Sequence, residues 1–122
     1  MILPPRIPKK AKRSSRWKSQ AHRDFVRGHA CCNCGSTASL EFAHVRMGSG
    51  AGMGQKPDDW RGVVLCHDCH TGEQHTKLGE PAFWREYQKR TGVSINELIE
   101  AFCKASPKAA EIRAIRKERE GG

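Results

Sequence analysis

Two cysteine pairs constrain the fold of this chain more than any other feature of its sequence. Cys31 and Cys34 have the spacing C-x-x-C, and Cys66 and Cys69 repeat it. One such pair can bring two thiolates to the same ion, and two pairs complete the tetrahedral shell of zinc. Because four thiolates leave no position for water, we expect a structural Zn²⁺ and not a catalytic one. Cys32 could replace Cys31 only with the poorer C-x-C spacing.

Disulfides are a less suitable explanation for the six cysteines. The N-terminal stretch MILPPRIPKKAKRSS has prolines and charges where a signal peptide has its apolar segment, so we expect a cytoplasmic protein. Disulfides are rare in that reducing compartment. A thioredoxin-like redox motif would need a βαβ setting, which neither pair has. No apolar run reaches the roughly 18 to 20 residues that cross a bilayer, so we expect no membrane association.

The net charge of +9 lies mostly near the N-terminus. Residues 1–29 contain nine Lys and Arg against one Asp. A field of this sign attracts polyanions and releases their counterions, which makes DNA the expected partner. A basic protein without a polyanionic partner is the alternative, and charge alone does not exclude it. We expect residues 1–15, which are rich in proline and charge, to form a flexible basic arm.

Two short strands are predicted beside the cysteine pairs. The segment LEFAHV at 40–45 alternates, with Leu40, Phe42 and His44 on one face. The segment WRGVVLC at 60–66 contains an apolar run short enough for a buried strand. The glycine-rich segment GSGAGMGQKPDD joins the two strands.

Helices are predicted on both sides of this hairpin. The first covers residues 16–27, ends at Gly28 and has an apolar face of Trp17, Ala21, Phe25 and Val26. A second begins near His70. Three more are expected over residues 81–90, 94–104 and 106–120. A capping box of Ser94 and Glu97 opens the helix over 94–104, which also carries Cys103 as an ordinary small hydrophobe.

Three histidines remain available if the cysteines hold a structural metal. His44 ends the first strand, His70 directly follows the last cysteine of the second pair, and His75 lies five residues further on. Such a set suits metal-assisted phosphodiester hydrolysis, in which a base activates water and a cation stabilises the charged phosphate. Ordinary histidines at a strand end and on a solvated helix are the other interpretation. The remaining histidines have no expected catalytic role: His22, His29 and His67.

The motifs CCNCG, EFAHV, PDDWRGVVLC and CHDCH, in this order, resemble the HNH nucleases of the ββα-metal (His-Me finger) class. The resemblance covers about residues 16–78 and is strongest to small prophage-encoded HNH nucleases with two C-x-x-C zinc knuckles. It implies an α+β fold, a small zinc-stapled ββα-metal core with an N-terminal helix and additional C-terminal helices. We therefore expect a basic arm at 1–15, this core at 16–78 and a helical extension at 79–122 that packs on it.

The resemblance also implies an activity. Members of the class are divalent-metal-dependent endonucleases that hydrolyse phosphodiester bonds in DNA and leave a 5′-phosphate. His44 resembles the general base of the class, and Asp59 stands where the class has an Asn that braces the loop and orients the base. His70 resembles a ligand of the catalytic cation, which would be Mg²⁺, Mn²⁺ or Zn²⁺. A phage or prophage origin and a place in the host cytoplasm are further implications.

Two positions depart from the pattern of the class. Many members have Asp or His immediately before the general base, where this chain has Ala43. A further metal ligand commonly follows the last His by four residues. That residue is Gln74 here, and His75 lies about 140° around an ideal α-helix from the last His. The metal shell could be completed in three ways, of which we rank His75 first. An irregular helix would bring His75 to the metal. Otherwise Glu41 would supply a ligand, or substrate phosphate and water would fill the shell.

Basic side chains near these residues are the expected DNA contacts. Arg46 directly follows the first strand, and Lys56 lies in the glycine-rich segment. Sequence-independent affinity is expected from the N-terminal cations Lys9, Lys10, Lys12, Arg13, Arg16 and Lys18. A homodimer, or phage recombination or packaging proteins, are further candidate partners. The alternative function is a non-catalytic zinc-stapled DNA-binding or recombination accessory protein, which would need neither His44 nor His70.

Overall fold

A computed structural model describes residues 2–5, 16–48 and 56–121 of the chain, without the side chains of residues 73–77, 120 and 121. The order of elements is a helix, two strands, a π-helix and three further helices. This mixed α+β architecture agrees with the predicted fold class. Most of the predicted basic arm lies outside the described residues. None of the described helices combines the length and the apolar character needed to cross a membrane.

The two strands form a small antiparallel sheet. β1 (Leu40–His44) pairs with β2 (Gly62–Cys66), in a register that places His44 opposite Gly62. Every residue of β2 is buried, as its continuous apolar run predicts. A Cβ added to Gly62 would lie 1.8 Å from Cζ of Phe42, so the close approach of this ring requires glycine.

The first helix is shorter than predicted. α1 is Gln20–Arg27, and residues 16–19 before it are not helical. The side chain of Ser19 accepts a hydrogen bond from the backbone N–H of His22 and so caps the helix. Trp17 is buried as predicted, but it lies outside the helix whose apolar face it was expected to share.

His22, for which no catalytic role was expected, is a buried residue of α1. Its side chain is fully buried, and its Nδ1 lies 2.8 Å from Oγ of Ser106. Val26, one turn later, is also buried, whereas the predicted face residue Ala21 is exposed. The helix therefore packs on a face that includes a polar ring, which hydrophobic periodicity alone does not detect.

The helix after β2 is a π-helix, Asp68–Leu78, and it begins two residues before the predicted start. Hydrogen bonds in a π-helix join residues five positions apart, a rare pattern that occurs frequently at functional sites. The backbone of His75 therefore follows that of His70 by one turn of this wider helix. The side chains of Gln74 and His75 lie outside the described residues.

Three α-helices complete the chain, α2 (Glu80–Thr91), α3 (Ile95–Ala105) and α4 (Ala109–Gly121). The side chain of Ser94 accepts a hydrogen bond from the N–H of Glu97 at 3.1 Å, which confirms the predicted start of α3. α4 begins three residues later than predicted because Ser106 ends α3 in an extended conformation. α2 packs against the π-helix, and α3 packs against β2 and α4.

Candidate functional site

Four cysteines from the two pairs lie together at one end of the sheet. The Sγ atoms of Cys31, Cys34, Cys66 and Cys69 all lie within 4.8 Å of one another. Cys34 and Cys66 Sγ are 3.6 Å apart, close to the edge of about 3.8 Å in a tetrahedron with Zn–S bonds of 2.3 Å. The described cysteines are all free of disulfides. The four residues predicted from spacing thus form a cluster that could hold a metal, and Cys32 is not part of it.

Neighbouring groups support this cysteine cluster from outside. The side-chain amide of Asn33 donates a hydrogen bond to Sγ of Cys69 at 3.3 Å. Arg90 of α2 donates in turn to the backbone carbonyl of Asn33, at 2.9 Å, and to its side-chain oxygen. A hydrogen-bond donor of this kind stabilises a thiolate ligand and fixes its direction. The network therefore joins α2 to the cluster.

The thiols of the cluster do not share one pKa. Burial opposes ionisation of Cys31, but backbone N–H groups of Cys34, Cys66 and Asn33 outweigh it and lower the pKa of that thiol to about 7. Burial, together with the neighbouring thiols, raises the pKa of Cys69 to about 12. A cation shared by the four sulfurs would favour the thiolate form of all four cysteines, because a coordinating thiol is deprotonated by the metal charge.

A groove of about 570 Å³ lies beside the sheet, between α1, β1 and the start of the π-helix. The predicted residues His44 and His70 both line it. Glu41 of β1 and Lys56, a described residue of the glycine-rich segment, line it as well. The groove therefore brings together two histidines, a carboxylate and a cation from three separate parts of the sequence.

Asp59 holds His44 in a fixed orientation. Its Oδ1 lies 2.9 Å from Nε2 of His44, and Asp59 itself is fully buried. Arg16 donates to Oδ1 at 2.9 Å, the backbone N–H of Ser19 donates to Oδ2 at 2.8 Å, and Nε of Arg23 lies 3.3 Å from Oδ2. Burial opposes ionisation, but the hydrogen bonds from His44 and Ser19 and the charge of Arg23 outweigh it and lower the pKa of Asp59 to about 2. An anionic acceptor keeps the proton of neutral His44 on Nε2, which leaves the lone pair on Nδ1.

Glu41 makes the corresponding contact to His70. Its Oε1 lies 2.9 Å from Nδ1 of His70, and its Oε2 lies 3.1 Å from Nδ1 of His67. Hydrogen bonds from these two imidazoles lower the pKa of Glu41, and the exposed His67 has a raised pKa because of the same carboxylate. Since Glu41 accepts at Nδ1 of His70, the lone pair of that ring lies on Nε2 when the ring is neutral.

A family comparison bears on the same part of the chain. A model of a family of proteins of unknown function, DUF968, matches residues 4–104. The chain belongs to the DUF968 family. The matched range contains the cysteine cluster, the groove and the supporting helix α2. No match was found among curated proteins or among solved structures.

A second ready-made metal cluster is absent from the described part of this DUF968 chain. Among the described residues, only the four cysteines bring three or more candidate ligand atoms within 4.8 Å of one another. Ala43, at a position where HNH nucleases often have a ligand, is buried. Glu41, considered above as a ligand, instead contacts His70 and His67. Among the described residues, the candidate ligands that line the groove, His44, His70 and Glu41, thus do not form a three-ligand cluster.

The predicted DNA contacts of this DUF968 chain fall into three groups. Lys18, Arg46 and Lys56 are exposed, as a phosphate contact requires. Arg16 is bonded to Asp59, which gives it a structural role beside the groove. The remaining predicted contacts lie outside the described residues: Lys9, Lys10, Lys12 and Arg13.

Two arginines of α1 line the groove and were missed from the sequence. Arg23 and Arg27 were treated only as part of a basic segment, although both line the groove opposite β1. Their spacing of four residues places them on one polar face of an amphipathic helix. The four-residue spacing was the signal in the sequence that distinguishes Arg23 and Arg27, as a pair on one helix face, from Lys18 and from the cations of the arm.

Proposed function

We propose that this chain is a divalent-metal-dependent HNH endonuclease that hydrolyses phosphodiester bonds in DNA. The observation that supports this most strongly is that His44 and His70 line one groove and that each is held by its own carboxylate. Two histidines with fixed tautomers, beside cationic side chains, suit a base and a metal ligand acting on one phosphate.

The structural metal in this proposal is Zn²⁺, held by Cys31, Cys34, Cys66 and Cys69. All four donors are sulfur atoms, their spacing fits a tetrahedron, and Asn33 supplies a hydrogen bond to one of them. The site joins the segment before β1 to the end of β2. His70 follows Cys69 directly, so the zinc site would fix the backbone from which His70 projects.

His44 is the general base in the proposed reaction. Its Nδ1 accepts a proton from a water molecule, while Asp59 accepts the hydrogen bond from Nε2 and stabilises the imidazolium that forms. The water oxygen bonds to phosphorus as the bond from phosphorus to the 3′ oxygen breaks. The products are a 5′-phosphate and a 3′-hydroxyl group, whose proton comes from solvent.

His70 is the proposed ligand of the catalytic cation through Nε2, and Glu41 orients its ring. A bound Mg²⁺, Mn²⁺ or Zn²⁺ would stabilise the negative charge on the phosphate and on the leaving oxygen. A single protein ligand is compatible with Mg²⁺, which usually keeps several waters and binds substrate phosphate directly. His75, one turn of the π-helix later, is the proposed second ligand.

The second candidate function is a non-catalytic zinc-stapled DNA-binding protein. The burial of Ala43 favours it, as does the lack of a three-ligand cluster among the described residues that line the groove. It would use the cysteine cluster and the cations but not the acid–base pair of His44 and Asp59.

Plasmid nicking separates the two functions. Purified wild-type protein, His44→Ala and the control His29→Ala would be assayed with Mg²⁺, Mn²⁺ or Zn²⁺. His29 is an exposed histidine outside the groove, bonded to the carbonyl of Phe25. We expect nicking by the wild type and the control, and a rate reduced about 10²- to 10⁴-fold in His44→Ala. Equal rates in all three proteins, or no nicking while DNA binding persists, would contradict the endonuclease.

A further inference from the structure

One wall of the groove is the polar face of α1. Gln20, Arg23 and Arg27 line the groove and lie within about 60° of one another around the helix. The buried residues of α1, His22 and Val26, lie on another face. Arg23 and Arg27, which we call the arginine stripe, thus point toward the groove, while the buried residues of α1 hold the helix against the rest of the molecule.

The first arginine of the stripe reaches the acid–base pair. Nε of Arg23 lies 3.3 Å from Oδ2 of Asp59, whose other oxygen lies 2.9 Å from Nε2 of His44. One carboxylate therefore lies between the guanidinium and the imidazole. About a third of the Arg23 side chain is exposed, so it can contact a ligand in the groove while it contacts Asp59.

The second arginine lies one turn further along α1. Arg27 is more exposed than Arg23, at 44%, and its recorded ion pair is with the exposed Asp24 of the same helix. An exposed pair of this type contributes little to stability, so a phosphate can replace the carboxylate at small cost. The four-residue spacing of the two arginines corresponds to a rise of about 6 Å along α1.

The charge of the groove suits a phosphodiester strand. Its described lining has three cations, Arg23, Arg27 and Lys56, and one carboxylate, Glu41, which is bonded to two imidazoles. Guanidinium groups bind phosphate oxygens with two parallel hydrogen bonds, which gives direction as well as charge.

We propose that the arginine stripe binds neighbouring phosphates of one nucleic-acid strand lying along α1. Arg23 contacts the phosphate beside His44, and Arg27 contacts a phosphate about one turn of α1 away. The position of the cleaved phosphate rests on the proposed endonuclease function, but binding of the strand does not. α1, which precedes the first cysteine pair, thereby becomes the element that orients the substrate strand.

Binding measured apart from cleavage tests this surface. The full chain carrying His44→Ala would be combined with Arg27→Ala, Arg27→Lys or Arg85→Ala and titrated into labelled duplex DNA, single-stranded DNA and single-stranded RNA. Arg85 is an exposed arginine of α2 that does not line the groove, so its removal changes net charge equally. Circular dichroism of each variant would verify its fold.

We expect Arg27→Ala to weaken binding by up to about tenfold at 0.1 M salt. The slope of log affinity against log salt should also fall by about 0.9 for duplex DNA or 0.7 for a single strand, with Arg27→Lys intermediate. Arg85→Ala should change neither quantity to that extent. Equal effects of Arg27→Ala and Arg85→Ala, or no binding of any of the three nucleic acids, would overturn the proposal. Absence of nicking by the wild-type protein with the Arg27 effect intact would remove the endonuclease function and leave the surface in place.

Discussion

The carboxylate of Asp59 lies 2.9 Å from Nε2 of His44, although the two residues are 15 positions apart in the chain. Asp59 is the last residue of the glycine-rich segment and His44 precedes that segment, so the contact joins the two ends of the connection from β1. The same carboxylate holds Arg16 and the N-terminus of α1. Orientation of the imidazole and attachment of the N-terminal segment therefore depend on one buried anion.

Replacement of Asp59 by Asn should reduce both stability and activity. The variant leaves two guanidinium groups without their buried counter-ion, which should cost about 3 kcal/mol in the free energy of unfolding. It also removes the anion that keeps the proton of His44 on Nε2, so nicking should fall. Urea unfolding and nicking rates measure the two effects. Asp24→Asn, at an exposed carboxylate of α1, is the matched control and should change stability by no more than about 0.5 kcal/mol.

Zinc content should depend on the cysteine cluster and not on Cys32. We expect elemental analysis to find one zinc per chain in the wild type and in Cys32→Ser, and a large loss in Cys66→Ser. Chelation should lower the midpoint of thermal unfolding because metal binding to the folded state contributes to folding. Protein that contains no zinc and whose unfolding is insensitive to chelators would contradict a structural zinc site.

Replacement of Glu41 by Gln should weaken binding of the catalytic metal without disturbing the zinc site. Gln retains the length of the side chain but loses the charge that holds the proton of His70 on Nδ1, and such supporting contacts commonly contribute 10- to 100-fold in metal affinity. Calorimetric titration with Mn²⁺ measures the affinity, and nitrogen chemical shifts of the imidazole report its tautomer. His67→Ala removes the other partner of Glu41 and should leave both near wild-type values. An unchanged Mn²⁺ affinity in Glu41→Gln would show that Glu41 does not act through His70.

Stability should fall on mild acidification because of His22. Burial lowers the pKa of His22 from 6.5, and the nearby Asp59 offsets this only partly. The unfolded chain therefore binds a proton at a higher pH than the folded chain does. The free energy of unfolding should decrease as the pH falls below about 6.5 and continue to decrease until the folded-state pKa is reached. Unfolding of wild type and His22→Gln from about pH 7 to pH 5 measures this, and the variant should show the smaller decrease. Parallel curves would mean that His22 does not contribute.

The parts of the molecule that follow from local rules were predictable. The cysteine cluster follows from spacing, β2 from its apolar run and the start of α3 from the capping side chain of Ser94. The start of α1 was not predictable from periodicity, because the backbone N–H groups of Trp17 and Ser19 donate to Asp58 and Asp59, about forty positions away. The π-helix was missed because its hydrogen-bond pattern is rare and the sequence from 68 to 78 has no strong apolar period.

Of the two contacts between a histidine and a carboxylate, one was expected from the sequence and the other was not. A role for Asp59 in orienting the base followed from the resemblance to HNH nucleases. The contact between Glu41 and His70 depends on how the π-helix leaves β2, and strand alternation does not report that direction. Arg23 reaches Asp59 for a comparable reason, since the angle at which α1 packs on the sheet is a tertiary property.

The ring of Phe42 occupies the space that a side chain on residue 62 would need. The same ring packs edge-on against His44, with centroids 5.0 Å apart. A methyl group at position 62 would therefore displace the ring of Phe42, and the displaced ring would shift the imidazole of His44. The lack of a side chain at Gly62 thus leaves room for the Phe42 ring, and through that ring it limits where the imidazole of His44 can lie.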